Sequence, residues 1–128
     1  MPEHIHLLIY PQPTQPKVTT ILTTIKQSVS QRARLELRNT NRTTPHSMID
    51  TRPDGRQVTR FWQRGGGYDR NLWSPKHIWD TIDYIHNNPV RRDLCQRPTD
   101  WPWSSATAHA NGTSTPLAID RESIPPRP

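Results

Sequence analysis

The first apolar run of the chain, Ile5, Leu7, Leu8 and Ile9, is interrupted by His4 and His6 and closes at Pro11. A short apolar run bounded by proline predicts a buried strand over residues 4–10. Side chains alternate along a strand, so His4 and His6 are expected on one face. Pro11, Pro13 and Pro16 then make a stiff connection. From Lys17 the pattern changes. Val18, Ile21, Leu22, Ile25, Val29 and Ala33 recur at threes and fours, which predicts a helix to about Arg38 with a basic later half.

Residues 39–54 are rich in Thr, Asn, Arg and Pro and read as a loop. Residues 56–64 predict a second strand with Val58, Phe61 and Trp62 as its apolar content. Gly65-Gly66-Gly67 breaks the chain, which resumes in extended form to Trp73. Ser74-Pro75 is a helix start, with Ser as N-cap and Pro at the first helical position. Pro89 disfavours helix at the residue before it, so the helix is expected to end at Asn87 or Asn88. Residues 91–97 read as irregular, and 100–105 as a compact aromatic turn. Residues 107–128 are expected to form a disordered tail.

Composition tightens this picture. The chain has 128 residues, enough for one domain, but only 30% are hydrophobic and 14 are proline. With a mean hydropathy of -0.92, the core must be small, and most of the five tryptophans are expected in it. A single cysteine, Cys95, excludes an internal disulfide and a cysteine-based zinc site. No apolar stretch approaches the roughly 18 residues of a membrane span. No charged-then-apolar leader opens the chain, so the expected setting is a reducing cytoplasm, at the nucleoid, without a membrane partner.

The net charge is +6 and the pI about 10.2, which points to a polyanionic partner. The excess is concentrated: residues 26–76 hold 11 Lys or Arg against 4 Asp or Glu, a net of +7. Phe61, Trp62, Tyr68 and Trp73 are interleaved with this charge. Cations for phosphates and rings for bases are what single-stranded nucleic acid binding uses. Lys26, Arg34, Arg60, Arg64 and Arg70 are the candidate contacts.

Two groups of residues carry candidate chemistry. The same-face pair His4 and His6 would present two imidazoles to one metal ion, although such a pair alone more often reads as polar residues on a half-exposed strand. The second group lies on the 75–88 helix. At about 100° per residue, Ile78, Ile82 and Ile85 form one stripe, while Tyr84 and Asn88 are neighbours on its flank with His77 and Thr81. A tyrosine at such a margin is a candidate nucleophile if something favours its phenolate. By itself it reads as an amphipathic side chain capping the core edge. His86 falls on the far side as a surface or packing residue.

The motifs recur in a recognisable order. His4-Ile5-His6 is followed by Phe61-Trp62-Gln63-Arg64-Gly65 leading to Tyr68-Asp69-Arg70. Asp83-Tyr84-Ile85 with Asn88-Pro89-Val90 comes next, and Asp100-Trp101-Pro102-Trp103-Ser104-Ser105 closes the series. This order resembles the single-tyrosine HUH transposases, most nearly the REP-associated tyrosine transposases of the IS200-like type, over residues 1–106. The resemblance implies an α+β, ferredoxin-like domain, with an antiparallel sheet and helices packed on one face. It implies metal-dependent nicking and rejoining of single-stranded or hairpin DNA through a 5′-phosphotyrosine. His4, His6 and Asn88 match the ligands of Mg²⁺ or Mn²⁺, and Tyr84 matches the nucleophile. Tyr68, which follows the three glycines, is the rival.

Family members carry a strand, a helix and a further strand ahead of the HUH segment, so the domain over 1–106 is expected to be incomplete at its N-terminus. Two-subunit action among relatives makes a homodimer an expectation as well. The alternative expectation is a truncated, inactive remnant that only binds nucleic acid. A third is a metal-binding module without a nucleic acid partner.

Overall fold

The computed structural model describes residues 4–14, 16–63, 65, 67–112 and 118–128. Among these the class is α+β: three α-helices and one two-stranded antiparallel sheet. The chain divides into two compact units, residues 11–69 and residues 1–10 with 70–128.

In the 11–69 unit, α1 spans Val18–Asn39, the helix that the threes-and-fours pattern predicts. It starts at Lys17 without a side-chain cap, and none of its residues is buried. The sheet pairs β1 (Ile49–Thr51) with β2 (Gln57–Thr59) in the register Ile49↔Thr59, Asp50↔Val58, Thr51↔Gln57. β2 therefore covers only the start of the strand expected over 56–64, and β1 falls where a loop was expected. The reason is Arg52-Pro53-Asp54-Gly55. Pro53 presets the turn, Gly55 N–H donates to Arg52 C=O at 2.9 Å, and Gly55 takes a left-handed φ of 79°. That is a type I turn closed by a left-handed residue, which joins hairpin strands. Asp54 Oδ1 accepts from Arg56 N–H at 3.0 Å and braces it.

In the other unit, α2 spans Pro75–Arg91. Ser74 caps it as the sequence predicts, with Oγ accepting from His77 N–H at 3.3 Å. The expected end at Asn87 or Asn88 is corrected: the helix continues through Pro89 to Arg91. Proline disfavours the α conformation before it rather than forbidding it. Here Asn88 and Pro89 are both buried, and packing outweighs the local preference. Bonds from Arg92 N–H to Asn88 C=O and Leu94 N–H to Pro89 C=O finish the last turn.

The tail expected from residue 107 instead begins as helix α3, Ala106–Asn111, ended by Gly112 at φ 72°. Two small side chains, Ala106 and Ala108, let it sit close, and both are buried. Residues 118–128 are tied to α2. Trp79 Nε1–H donates to Pro125 C=O at 2.9 Å, Arg127 lies 5.0 Å above the Trp79 ring, and Arg127 pairs with Asp83. A turn at Pro98–Asp100 is held by Arg97, whose guanidinium bonds Asp100 at 2.9 Å.

The tryptophans do not make the core. Trp73 and Trp103 are 85% and 78% exposed, and the other three are half-buried. Among the described residues the buried apolar set is Ile82, Pro89, Ala106 and Ala108. Ile82 is its largest member, so Ile82→Ala should lower stability by about 2 kcal/mol or more. Chemical denaturation followed by circular dichroism measures this. An unchanged midpoint would show that the core lies elsewhere.

Candidate active site

The strand expected over residues 4–10 is not observed: this segment joins no hydrogen-bonded ladder among the described residues. A strand needs a neighbour to satisfy its backbone groups, and the hairpin lies in the other unit. Burial nevertheless alternates over residues 4–6, although Leu7 and Leu8 are both exposed. His4 and His6 are half-buried and Ile5 is exposed. The rings of His4 and His6 meet edge to face, 4.8 Å between centroids, with Nε2 atoms 3.1 Å apart.

Helix α2 brings the third group. Asn88, 8% exposed, has Nδ2 at 2.5 Å from His6 Nε2 and 3.4 Å from His4 Nε2. One turn earlier, Tyr84 places its ring edge to face with His6, 5.6 Å between centroids. Tyr84 is 48% exposed. His4, His6, Tyr84 and Asn88 are thus brought together within one unit.

Protons alone do not satisfy this cluster. A neutral imidazole nitrogen offers one lone pair or one hydrogen, never both. If His4 donates to His6, the Asn88 contact with His4 sets donor against donor. If Asn88 donates to both rings, two lone pairs face each other at 3.1 Å. No tautomer gives all three contacts a hydrogen bond. A cation bound here would resolve the conflict, because both lone pairs could then point at it. Two ligands each about 2.1 Å from one ion and at right angles lie about 3.0 Å apart, against about 3.4 Å in a tetrahedral site. The His4–His6 spacing of 3.1 Å is nearer the first, the Asn88–His4 spacing of 3.4 Å equals the second, and the Asn88–His6 spacing of 2.5 Å matches neither. A half-turn about the Asn88 Cβ–Cγ bond exchanges Nδ2 for Oδ1 and gives the ion an oxygen. Among the described residues no three His, Cys, Asp or Glu side chains gather into a metal site, so this donor set depends on the amide.

Arg91 is a neighbour that the motif pattern did not single out. Its guanidinium lies 5.6 Å from the Tyr84 ring centroid. Seven positions along a helix return to nearly the same face, so the spacing from Tyr84 held the signal. His77 is exposed, and His86 is a packing residue, its Nε2 2.8 Å from Ser105 Oγ and its ring 5.0 Å from that of His109. Tyr68 is 89% exposed.

The predicted cations separate into two sets. Arg70 belongs to the unit of α2, where its Nη2 donates to Thr81 Oγ1 at 3.4 Å. Lys26, Arg34 and Arg60 lie in the other unit and line one open groove. Arg64 lies outside the described residues. No helix of the described residues is long and apolar enough to cross a membrane. Comparison with protein families, with curated proteins and with solved structures finds no match to this chain.

Burial holds His6 below the usual imidazole range, helped by the charge of His4. Burial does the same for His86, with His109 adding and Asp83 opposing, and for His109, with Arg121 adding and Asp83 opposing. The unfolded chain therefore binds more protons than the folded one just below the ordinary histidine pKa of about 6.5. The stability tied to these groups is complete above that pH and is lost as the pH falls through the depressed values. Thermal unfolding at about pH 5 should thus come at a lower temperature than at about pH 8. An unfolding temperature that rises on acidification contradicts this assignment.

Proposed function

We propose that the chain is a metal-dependent, single-tyrosine DNA endonuclease of the HUH transposase type, acting on single-stranded or hairpin DNA. The supporting observation is the convergence of His4, His6 and Asn88, with Tyr84 one turn before Asn88 on the same helix. The motif order along the sequence points the same way. The ferredoxin-like plan, with the 4–10 segment as a sheet strand, and a homodimer belong to this reading.

His4 and His6 would hold a divalent ion, Mg²⁺ or Mn²⁺, through neutral imidazoles, and Asn88 would hold it through its amide oxygen. When bound, the ion polarises the scissile phosphate and offsets the charge that develops on it. The three protein donors would be uncharged, so the negative charge at the site would come from the phosphate. Metal and DNA are then expected to bind each other's complexes more tightly than the empty protein. Tyr84 Oη attacks the phosphorus while the bond from phosphorus to the 3′-oxygen breaks. The phenol proton passes to solvent, and the departing 3′-oxygen takes one up. The products are a 5′-phosphotyrosine and a free 3′-hydroxyl. One phosphodiester replaces another, so the reverse step rejoins strands without an outside energy source. Arg91 keeps a positive charge beside the phenol through the reaction.

The remnant that only binds nucleic acid is favoured by one observation. Ile5, Leu7, Leu8 and Tyr10 are exposed on a segment with no ladder partner among the described residues. Incubation with an end-labelled hairpin and Mn²⁺, followed by a denaturing gel, separates the two. The endonuclease reading expects a covalent protein–DNA species, absent for Tyr84→Phe although hairpin binding persists. His6→Ala should weaken Mn²⁺ binding at least about tenfold. An adduct made by Tyr84→Phe refutes the nucleophile. Hairpin binding without any adduct from the unaltered chain establishes the remnant.

A further inference from the structure

The flank of α2 that carries Trp79 and Asp83 faces away from Tyr84 and Asn88, and the C-terminal end of the chain occupies it. That end reads Ser123-Ile124-Pro125-Pro126-Arg127-Pro128. Proline fixes its own φ and disfavours helix at the residue before it. Ile124, Pro125 and Arg127 are each followed by proline, so the stretch is held extended. Residues 125–128 accordingly belong to no helix or strand. An extended proline-rich stretch loses little freedom when it docks. A turn just ahead of it is closed by Asp120, whose carboxylate accepts from Ser123 N–H at 3.2 Å and from Ser123 Oγ at 2.6 Å.

Each part of the flank answers a part of this segment. Pro125, Pro126 and Pro128 have carbonyls but no N–H, so the segment is rich in acceptors. The Trp79 indole is a donor only, and its Nε1–H meets Pro125 C=O at 2.9 Å. The Arg127 guanidinium lies 5.0 Å from the Trp79 ring centroid and pairs with Asp83. Asp80 is engaged by Lys76, so Asp83 is the carboxylate that serves the arginine. The His109 ring stands edge to face with Trp79 at 6.0 Å, and the His86 ring with His109 at 5.0 Å, which extends the aromatic floor. Aromatic surfaces are what proline-rich segments dock on, and the carboxylate beside this one adds a requirement for arginine. The contact is also exchangeable. The Arg127 and Asp83 side chains are 60% and 45% exposed, and an ion pair so exposed holds weakly.

We propose that this flank is a docking site for proline-rich peptide segments that carry an arginine. Residues 124–128 fill it in cis, and a segment of the same chemistry on a partner protein takes their place by exchange. The chemistry of the resident segment identifies the partner: acceptor carbonyls without N–H groups for the indole, and a guanidinium for the ring face and Asp83. The inference uses no residue of the proposed metal cluster and stands whether or not the endonuclease reading holds.

The test uses the full chain and a fluorescein-labelled peptide, Ser-Ile-Pro-Pro-Arg-Pro. The chain's own end is tethered beside the site at high effective concentration, so the unaltered protein should take up the peptide weakly. Arg127→Ala removes the ion pair and the cation over the ring from that competitor. The peptide should then bind roughly 3- to 30-fold more tightly, with an unchanged circular dichroism spectrum. On the same Arg127→Ala chain, a peptide with alanine in place of its arginine should bind roughly 3- to 30-fold more weakly than the original. This comparison alters the peptide alone, so folding of the protein does not enter it. Adding Trp79→Phe keeps a ring and removes the indole N–H, and should weaken peptide binding at least about twofold. Three results overturn the proposal. The first is no peptide binding to a folded Arg127→Ala chain. The second is equal binding of the arginine-free peptide. The third is light scattering that shows a dimer for the unaltered chain and a monomer for Arg127→Ala, because the flank then serves a second copy of this chain.

Discussion

Three nitrogen atoms from His4, His6 and Asn88 lie within 3.4 Å of one another, and each imidazole nitrogen can serve as a donor or an acceptor but not both. Placing such groups at a half-buried position leaves at least one contact unsatisfied. Burial raises the stakes, because it removes the water that would otherwise relieve the conflict. It also lowers the His6 pKa, which favours the neutral, lone-pair-bearing form. In the proposed reading, a bound cation would relieve the conflict that burial imposes on the cluster. The other features of the proposed chemistry are positioned relative to this point.

Helix α2 does the positioning. Ser74 and Pro75 fix where it starts, and Ile82 fixes which face turns inward. Once those are set, the helical repeat puts Tyr84, Asn88 and Arg91 along one flank. Asn88 points into the cluster from a buried site, while Tyr84 stands half exposed beside it. A helix holds a nucleophile at a defined distance from a metal more firmly than a loop does, which matters because misplacement by about 1 Å can cost about a hundredfold in rate. Pro89 sits immediately after Asn88 and is itself buried. It stiffens the turn in which Asn88 lies, at the expense of the backbone bond its nitrogen cannot make.

What was legible in the sequence divides along physical lines. The long periodic segments were readable: α1 from its apolar spacing, and the start of α2 from its cap and proline. The pairing of His4 with His6 was readable from two-residue spacing, and the joining of Tyr84 with Asn88 from four-residue spacing. The strand at residues 4–10 was not, because apolar content says nothing about whether a hydrogen-bonding neighbour exists. β1 was missed although Pro53-Asp54-Gly55 signalled a hairpin turn, since its strand residues are few and polar. The end of α2 and the helix α3 depended on burial of Pro89, Ala106 and Ala108, which local preference does not report. The tryptophans were misplaced for the same reason. A chain with so little apolar material cannot enclose its largest side chains, and small residues became its core.

The central claim is that His4, His6 and Asn88 share one divalent ion. Its most direct test is a Mn²⁺ titration of the chain with isotopically labelled histidine, followed by NMR. The paramagnetic ion broadens signals from the nuclei nearest to it. The account predicts that, of the six histidines, the ring signals of His4 and His6 vanish together at the lowest Mn²⁺ concentration. In Asn88→Ala, more Mn²⁺ should be needed for the same loss. Uniform broadening of all six rings, or loss that begins at His46, His77, His86 or His109, would contradict it.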